Sequence, residues 1–315
     1  MNEAPLTWVL GSGGLLGSNV EHALGRSGPV WRPSRPVRWG REDTAEFVAA
    51  AVGEFAEAAE RGPWQVAWCA GSGVVATAAQ HLADESFPFD ALLDALTDRM
   101  PRASDGLLFV ASSAGGLYGG STGPPFTEDT PVRPISPYGE LKLKLERRAT
   151  TWAEANGWPT VIGRISNLYG PGQNLSKAQG LISQVCRAQL LRQPISIYVP
   201  LDTVRDYIYA HDCGDLVADL LARARREPEQ PVLIKILASQ RGVTVGAILG
   251  ELRRLFKQSI KVVHRASPTA RFQATDLRLR SGVWPELDKR TLTPLPIGIS
   301  AIAEHITRLL QAGRV

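Results

Sequence analysis

Tyr138 and Lys142, four residues apart in YGELK, are the side chains of this sequence best suited to moving a proton. On a helix that spacing puts both on one face. A free phenol loses its proton only near pH 10, so it needs help to act as a base near neutrality. A neighbouring ammonium supplies that help by stabilising the phenolate, and the same lysine can hydrogen-bond a ribose. A tyrosine and a lysine also suit a plain solvated helix face, so their company decides the reading. Ser113 of SSAGGLYG stands 25 residues before Tyr138, at the end of a strand-like LLFVA. Its hydroxyl could hold a substrate hydroxyl or carbonyl beside the phenol. Ser112 offers the same group one residue earlier, and the choice between them stays open.

A second constellation precedes these. GSGGLLG, from Gly11 to Gly17, follows the first strand-like run, with Gly11, Gly14 and Gly17 three apart and Gly13 between them. Glycines there let a strand turn sharply into a helix and let backbone amides approach a pyrophosphate, which the helix N-terminus then faces. Gly11, Ser12, Gly13, Gly14, Leu15, Leu16 and Gly17 are therefore expected to cradle a dinucleotide. A fold that selects NAD ends its second strand with Asp or Glu, which binds the ribose 2′-hydroxyl. Here Arg32 stands 21 residues after Gly11, and Arg35, Arg38 and Arg41 follow it. A guanidinium cannot accept the hydroxyl's hydrogen bond but can pair with a 2′-phosphate. The expectation is NADP(H) in preference to NAD(H), held by Arg32 with Ser34 or Arg35, while Arg38 and Arg41 sit on a solvated loop.

These side chains need a scaffold. Strand-like runs at Leu6–Leu10, Val30–Trp31, Gln65–Cys69, Leu107–Ala111 and Thr160–Ile165 alternate with helical stretches at Ser18–Gly25, Thr44–Glu60 and Phe89–Met100. That alternation predicts an α/β fold, a doubly wound parallel sheet of Rossmann type covered by helices on both faces. The helix bearing Tyr138 is the best delimited, with Ser136 as N-cap, Pro137 at the first position and Asn156-Gly157 as a left-handed stop. Beyond Tyr169 the pattern becomes less regular. Residues 1–170 are expected to form the dinucleotide-binding domain, and 171–315 a smaller substrate-binding lobe with some segments returning to the sheet.

Five motifs in order give the chain a likeness. GSGGLLG, SSAGGLYG, YGELK, RISNLYGPGQN (164–174) and VRDYIYAHD (204–212) resemble those of the extended short-chain dehydrogenases/reductases of the nucleotide-sugar epimerase/dehydratase type. The resemblance implies a catalytic triad of Ser113, Tyr138 and Lys142, with Ala70, Gly71 and Ile165 against the cofactor. It also implies that Asn167 and Arg205 meet the diphosphate of a nucleotide-diphosphate sugar, and that the protein works as a homodimer. Hydride would pass between C4 of nicotinamide and a sugar carbon, C4 for preference, while Tyr138 takes or returns the hydroxyl proton. Epimerase and ketoreductase are not divided by these motifs. A 4,6-dehydratase is disfavoured, because such enzymes carry an acidic pair after the serine or threonine, where this chain has Ala114, Gly115 and Gly116. A sensor that binds NADP and a partner protein without turnover is the reading from another class. DESFPFDALLDAL (84–96) departs from the relatives' pattern and leaves their contacts in that segment unassigned.

Composition bounds the remainder. With 44% hydrophobic residues, 315 residues can bury a full core. No apolar run approaches the roughly 18 residues of a membrane span, and no signal peptide is expected. Three scattered cysteines, Cys69, Cys186 and Cys213, suit a reducing cytoplasm and offer neither a disulfide framework nor a zinc motif. A net charge of +4 without a basic run suits an anionic small molecule better than nucleic acid.

Overall fold

A computed structural model describes residues 3–60, 62–71, 73, 77, 82, 85–101, 104–177, 180–227, 230–265 and 274–314. Its first half alternates β1 (Leu6–Leu10), α1 (Leu15–Gly25), β2 (Val30–Trp31), α2 (Thr44–Ala59), β3 (Trp64–Trp68), α3 (Phe87–Arg99) and β4 (Gly106–Ser113). A single helical turn, α4 (Ala114–Leu117), then leads toward α5 (Pro137–Asn156), β5 (Thr160–Ile165) and β6 (Asn167–Tyr169). The second half comprises α6 (Leu181–Leu190), β7 (Ile195–Ile197), β8 (Val204–Tyr209), α7 (Ala210–Arg226), β9 (Val232–Leu237), β10 (Gly242–Thr244), α8 (Val245–Phe256), β11 (Val262–His264), β12 (Asp276–Leu277) and α9 (Leu295–Gln311).

Six parallel strands in the order β2-β1-β3-β4-β5-β9 make the main sheet. The chain winds outward from β1 to β2, then crosses to the other side for β3, so the order reverses between β1 and β3. Ligands of open α/β sheets bind outside the carboxyl ends of the strands at such a reversal. The expected α/β, doubly wound architecture is present, and β9 brings the chain back to the sheet after residue 171.

Both faces of the sheet are dry. On one, Trp8, Trp64, Trp68, Phe55, Phe89, Trp152 and Trp158 pack under α2, α3 and α5, with edge-on ring contacts such as Trp8–Trp31 at 5.0 Å and Trp64–Trp158 at 5.3 Å. On the other, Val9, Val20, Phe109, Val161 and Leu220 pack under α1 and α7. Strands covered on both sides must be apolar at successive positions, which is why β3 is buried at all five residues.

The later elements form a smaller assembly above the carboxyl edge. β8 pairs with β10, β12 and β6, and α6, α8 and α9 share a core of Ile182, Val185, Ile248, Leu252, Ile299 and Ile302. Lys235 of β9, fully buried, ties the C-terminal segment down by donating to Ser281 Oγ, Val283 O and Asp288 Oδ2 at 2.8, 2.6 and 2.8 Å.

Candidate active site

The glycine loop divides its labour. Gly11 has φ +87°, and a Cβ on it would stand 2.7 Å from the backbone nitrogen of Ala70. One on Gly17 would stand 2.1 Å from Gly11 O. These two positions are therefore closed by the fold itself, and α1 can start inside the loop, at Leu15 and not at the predicted Ser18. Gly13 differs: a Cβ there would meet nothing within 4 Å, and the residue faces a cavity. The fold does not need glycine at 13. A phosphate approaching the backbone amides does, so this cradle fits the pyrophosphate of a dinucleotide.

Tyr138 and Lys142 project from the first turns of α5. Ser136 Oγ accepts from Gly139 N at 3.1 Å and Gly157 ends the helix at φ 76°, as the capping residues predict. Close backbone approach sets the phenol's depth: a Cβ on Gly139 would stand 2.2 Å from Gly116 O, and one on Gly116 would stand 3.2 Å from the Tyr138 ring. Lys142 is buried; its Nζ donates to Ala111 O at 3.2 Å and lies 5.8 Å from the centre of the Tyr138 ring. β4 runs two residues past the predicted Ala111, because its pairing with β5 continues to Ser113 opposite Ile165. Both serines are thus on the strand end and both line the cavity. Ser113 Oγ accepts from Gly116 N at 3.2 Å as cap of α4, while Ser112 Oγ is buried among protein atoms without a partner.

The helix is held to the sheet by a buried ion pair that the sequence reading did not find. Glu146, one further turn along α5 from Lys142, takes two hydrogen bonds from Arg164 of β5, at 3.1 and 2.8 Å. Arg164 Nη1 also donates to Tyr118 Oη at 2.8 Å, and Tyr118 in turn donates to Thr127 O at 2.9 Å. Desolvation pulls the Arg164 pKa down, but the Glu146 carboxylate and the Tyr118 phenol together more than offset it, so the pKa is raised and the guanidinium stays charged.

Across the cavity, Asn167 Nδ2 donates to Asp206 O at 2.9 Å, joining β6 to β8. Arg205 of β8 donates to Val204 O at 2.9 Å, and burial lowers its pKa. Asp206 is fully buried with its oxygens on Ser239 N and Arg241 N, at 2.8 and 2.9 Å, and burial raises its pKa.

One cavity of about 810 Å³ joins these groups. Gly13, Gly14, Leu15, Leu16, Ala70, Gly71, Ser113, Tyr138, Lys142, Ile165, Asn167 and Arg205 line it. Gly11, Ser12 and Gly17 lie outside that lining, as do Arg32, Ser34 and Arg35. Arg32 reaches the end of β2 as expected, but its guanidinium is already bidentate on Glu21 of α1, at 3.2 and 2.6 Å. Ser34 gives its amide and hydroxyl to Glu54, both at 3.2 Å.

The profile of the NAD dependent epimerase/dehydratase family matches residues 7–234. The chain belongs to that family. A dTDP-L-rhamnose 4-epimerase of Burkholderia thailandensis is 33% identical over 118 residues, 37% of this chain and 32% of its own. A UDP-glucose 4-epimerase of Streptomyces lividans is 34% identical over 158 residues, 46% of each chain. This chain thus spans less than half the length of these curated relatives. Among solved structures, the UDP-glucose 4-epimerase of Thermus thermophilus in complex with NAD superposes with a TM-score of 0.75, covering 96% of this chain and 98% of its own. At 22% identity that likeness speaks for the fold. The resemblance read from the five motifs is therefore confirmed at the level of the family, an NAD-dependent one. Among the described residues no helix is long and apolar enough to cross a membrane, and all three cysteines are free.

In this family member the reading from sequence also missed Lys177, Gln173 and Tyr207, which line the cavity with Arg205. Only Gln173 and Tyr207 carried a signal, as parts of quoted motifs. Burial pushes the Tyr207 phenol up to about 12 and the Cys69 thiol, also on the lining, to about 12, so both stay neutral near neutral pH.

Proposed function

We propose that this protein is a nucleotide-sugar epimerase or 4-ketoreductase that moves a hydride at C4 of the sugar, with Tyr138 as acid and base. The observation that carries the reading is the charge of the cavity that joins these groups. Its described lining holds three cations, Lys142, Lys177 and Arg205, and no carboxylate, and it includes the Tyr138 phenol. Such a surface suits two diphosphates meeting end to end at a proton-transfer group.

The glycine loop would hold the dinucleotide's pyrophosphate, and Lys142 its nicotinamide ribose. A bound nicotinamide would supply the acceptor and donor of the hydride at the sugar carbon. Tyr138 takes the proton of the sugar hydroxyl as the carbonyl forms and gives it back on reduction. Ser113 holds that oxygen beside the phenol, Lys142 stabilises the phenolate, and Arg205 with Asn167 fixes the nucleotide diphosphate. The segment beyond residue 171 would supply most of the substrate's contacts. Elimination of water is disfavoured, since positions 115 and 116, where 4,6-dehydratases carry an acidic pair, are glycines, and a side chain at 116 would press on the Tyr138 ring.

At the adenosine end we infer that Arg32 admits a 2′-phosphate and favours NADP(H), with Glu21 as its resting partner. The protein is expected in the cytoplasm, where free thiols persist, and as a homodimer, which sedimentation against the 34.1 kDa monomer would test. Purified enzyme given NAD(P)H and UDP- or dTDP-linked 4-keto sugars should consume cofactor if it is a reductase. Retained NAD(H) with interconversion of UDP-glucose and UDP-galactose marks the epimerase. Turnover of either kind that persists unchanged in Tyr138→Phe would falsify the assignment.

A further inference from the structure

Loop 32–41 runs where a dinucleotide would need a second wall. β2 and β3 flank β1 on opposite sides. The chain leaves β2 at Trp31, yet Trp39 lies edge-on to Trp68, the last residue of β3, with ring centres 5.7 Å apart and planes at 86°. Between those two points the loop therefore passes the carboxyl end of β1. Val37 joins the cluster of Trp8 and Phe55 on one face of the sheet, whereas the glycine loop leads into α1, which covers the other. The end of β1 is thus walled on one side by the glycine loop and on the other by loop 32–41.

Trp39 is held firmly in that wall. Trp68 is 2% exposed and packs on Phe89 at 5.0 Å. Thr44 Oγ1, at the start of α2, accepts from Arg41 N at 3.1 Å and reaches Arg38 O at 2.8 Å, which pins the backbone on both sides of Trp39. Trp39 nevertheless keeps 42% of its surface, and of the eight tryptophans it alone is exposed. A contact at right angles engages an edge or one face of its ring, so a face stays open. Cys69, Ala70 and Gly71, which follow Trp68, line the cavity, so the open ring stands beside that part of it.

We propose that Trp39 is a binding residue for the adenine of the dinucleotide, the flat wall on which the base stacks. The inference rests on the reading of the glycine loop as the pyrophosphate cradle. With the pyrophosphate at that loop and the ribose at the end of β2, the base that this ribose carries falls within reach of loop 32–41. A purine presents a broad π face, and a tryptophan already held rigid loses little conformational entropy in stacking on it. Stacking is indifferent to the 2′-position, so Trp39 acts on NAD and NADP alike and leaves the choice between them to Arg32.

Calorimetric titration of the intact protein with ADP-ribose, NAD and NADP tests this. Trp39→Ala should weaken all three by one common factor, roughly five- to a hundredfold, and bind nicotinamide mononucleotide, which lacks adenosine, as the wild type does. Trp39→Phe, which keeps a smaller ring, should lose less affinity but most of the tryptophan quenching that ADP-ribose causes in the wild type. Unchanged affinity for ADP-ribose in a folded Trp39→Ala overturns the proposal, and so does an equal loss for the mononucleotide, which would mark a merely structural role. Should Trp39→Ala not fold, undiminished quenching in Trp39→Phe overturns it. A wild type that binds none of these nucleotides would sink the dinucleotide reading together with this one, whereas wild-type binding that survives Trp39→Ala sinks only this inference.

Discussion

Glycines 13 and 17 show how one residue type serves two ends. The Cβ missing from Gly17 would collide with a backbone oxygen, which cannot rotate away. Gly17→Ala should therefore cost the fold about 1–3 kcal/mol, read as a lowered urea midpoint. Gly13→Val should leave that midpoint in place, because nothing lies within 4 Å, and weaken dinucleotide binding about tenfold or more by filling the cradle. A joint loss of stability in both variants would contradict the division. Tyr138→Phe belongs to the same scale: it removes only the phenolic hydroxyl, so turnover should fall about 10²–10⁴-fold while cofactor affinity measured by fluorescence stays within a factor of about two. For Arg32 the contrast is with its own partner. Glu21→Gln frees the guanidinium and should raise the ratio of NADP to NAD affinity. Arg32→Ala should lower it. Equal losses for both cofactors in Arg32→Ala would remove the phosphate contact from the account.

At the scale of elements, α5 shows how a helix with many charged residues is held against the sheet. Its inner face presents Tyr138, Lys142 and Glu146 at successive turns, and Glu146 is locked to Arg164 with both side chains almost wholly buried. Removing one partner of such a pair leaves an uncompensated buried charge, so Glu146→Gln should cost about 3–5 kcal/mol by urea denaturation. Replacing both by apolar residues of similar size, as in Glu146→Leu with Arg164→Met, should recover most of it. A double variant as unstable as the single one would show that Tyr118, left without its Arg164 partner, carries the cost instead. The caps and length of α5 were legible because Ser136, Pro137 and Gly157 act on their own helix. Glu146–Arg164 was not, since nothing local marks which carboxylate and which arginine meet across 18 residues.

The whole molecule sorts along similar lines. The main sheet was legible because strands covered on both faces are continuously apolar and their helices are amphipathic. β6, β7, β10, β11 and β12 were not, since two or three residues hold no periodicity, and their pairing follows from a long excursion of the chain. The cavity that results is lined by both halves of the sequence, the glycine loop and Tyr138 from the first and β8 from the second. Ligands that bind only the folded state should stabilise it separately through each half, by about 2.7 kcal/mol at a hundredfold excess over Kd. Thermal unfolding with NAD, NADP, UDP and dTDP, singly and paired, reads this directly. Arg205→Ala should erase the rise from the nucleoside diphosphate and keep that from the dinucleotide, and Gly13→Val should do the reverse. Loss of both rises in Arg205→Ala would mean that β8 supports the cofactor end as well, and the cavity would have to be read as one site for one ligand.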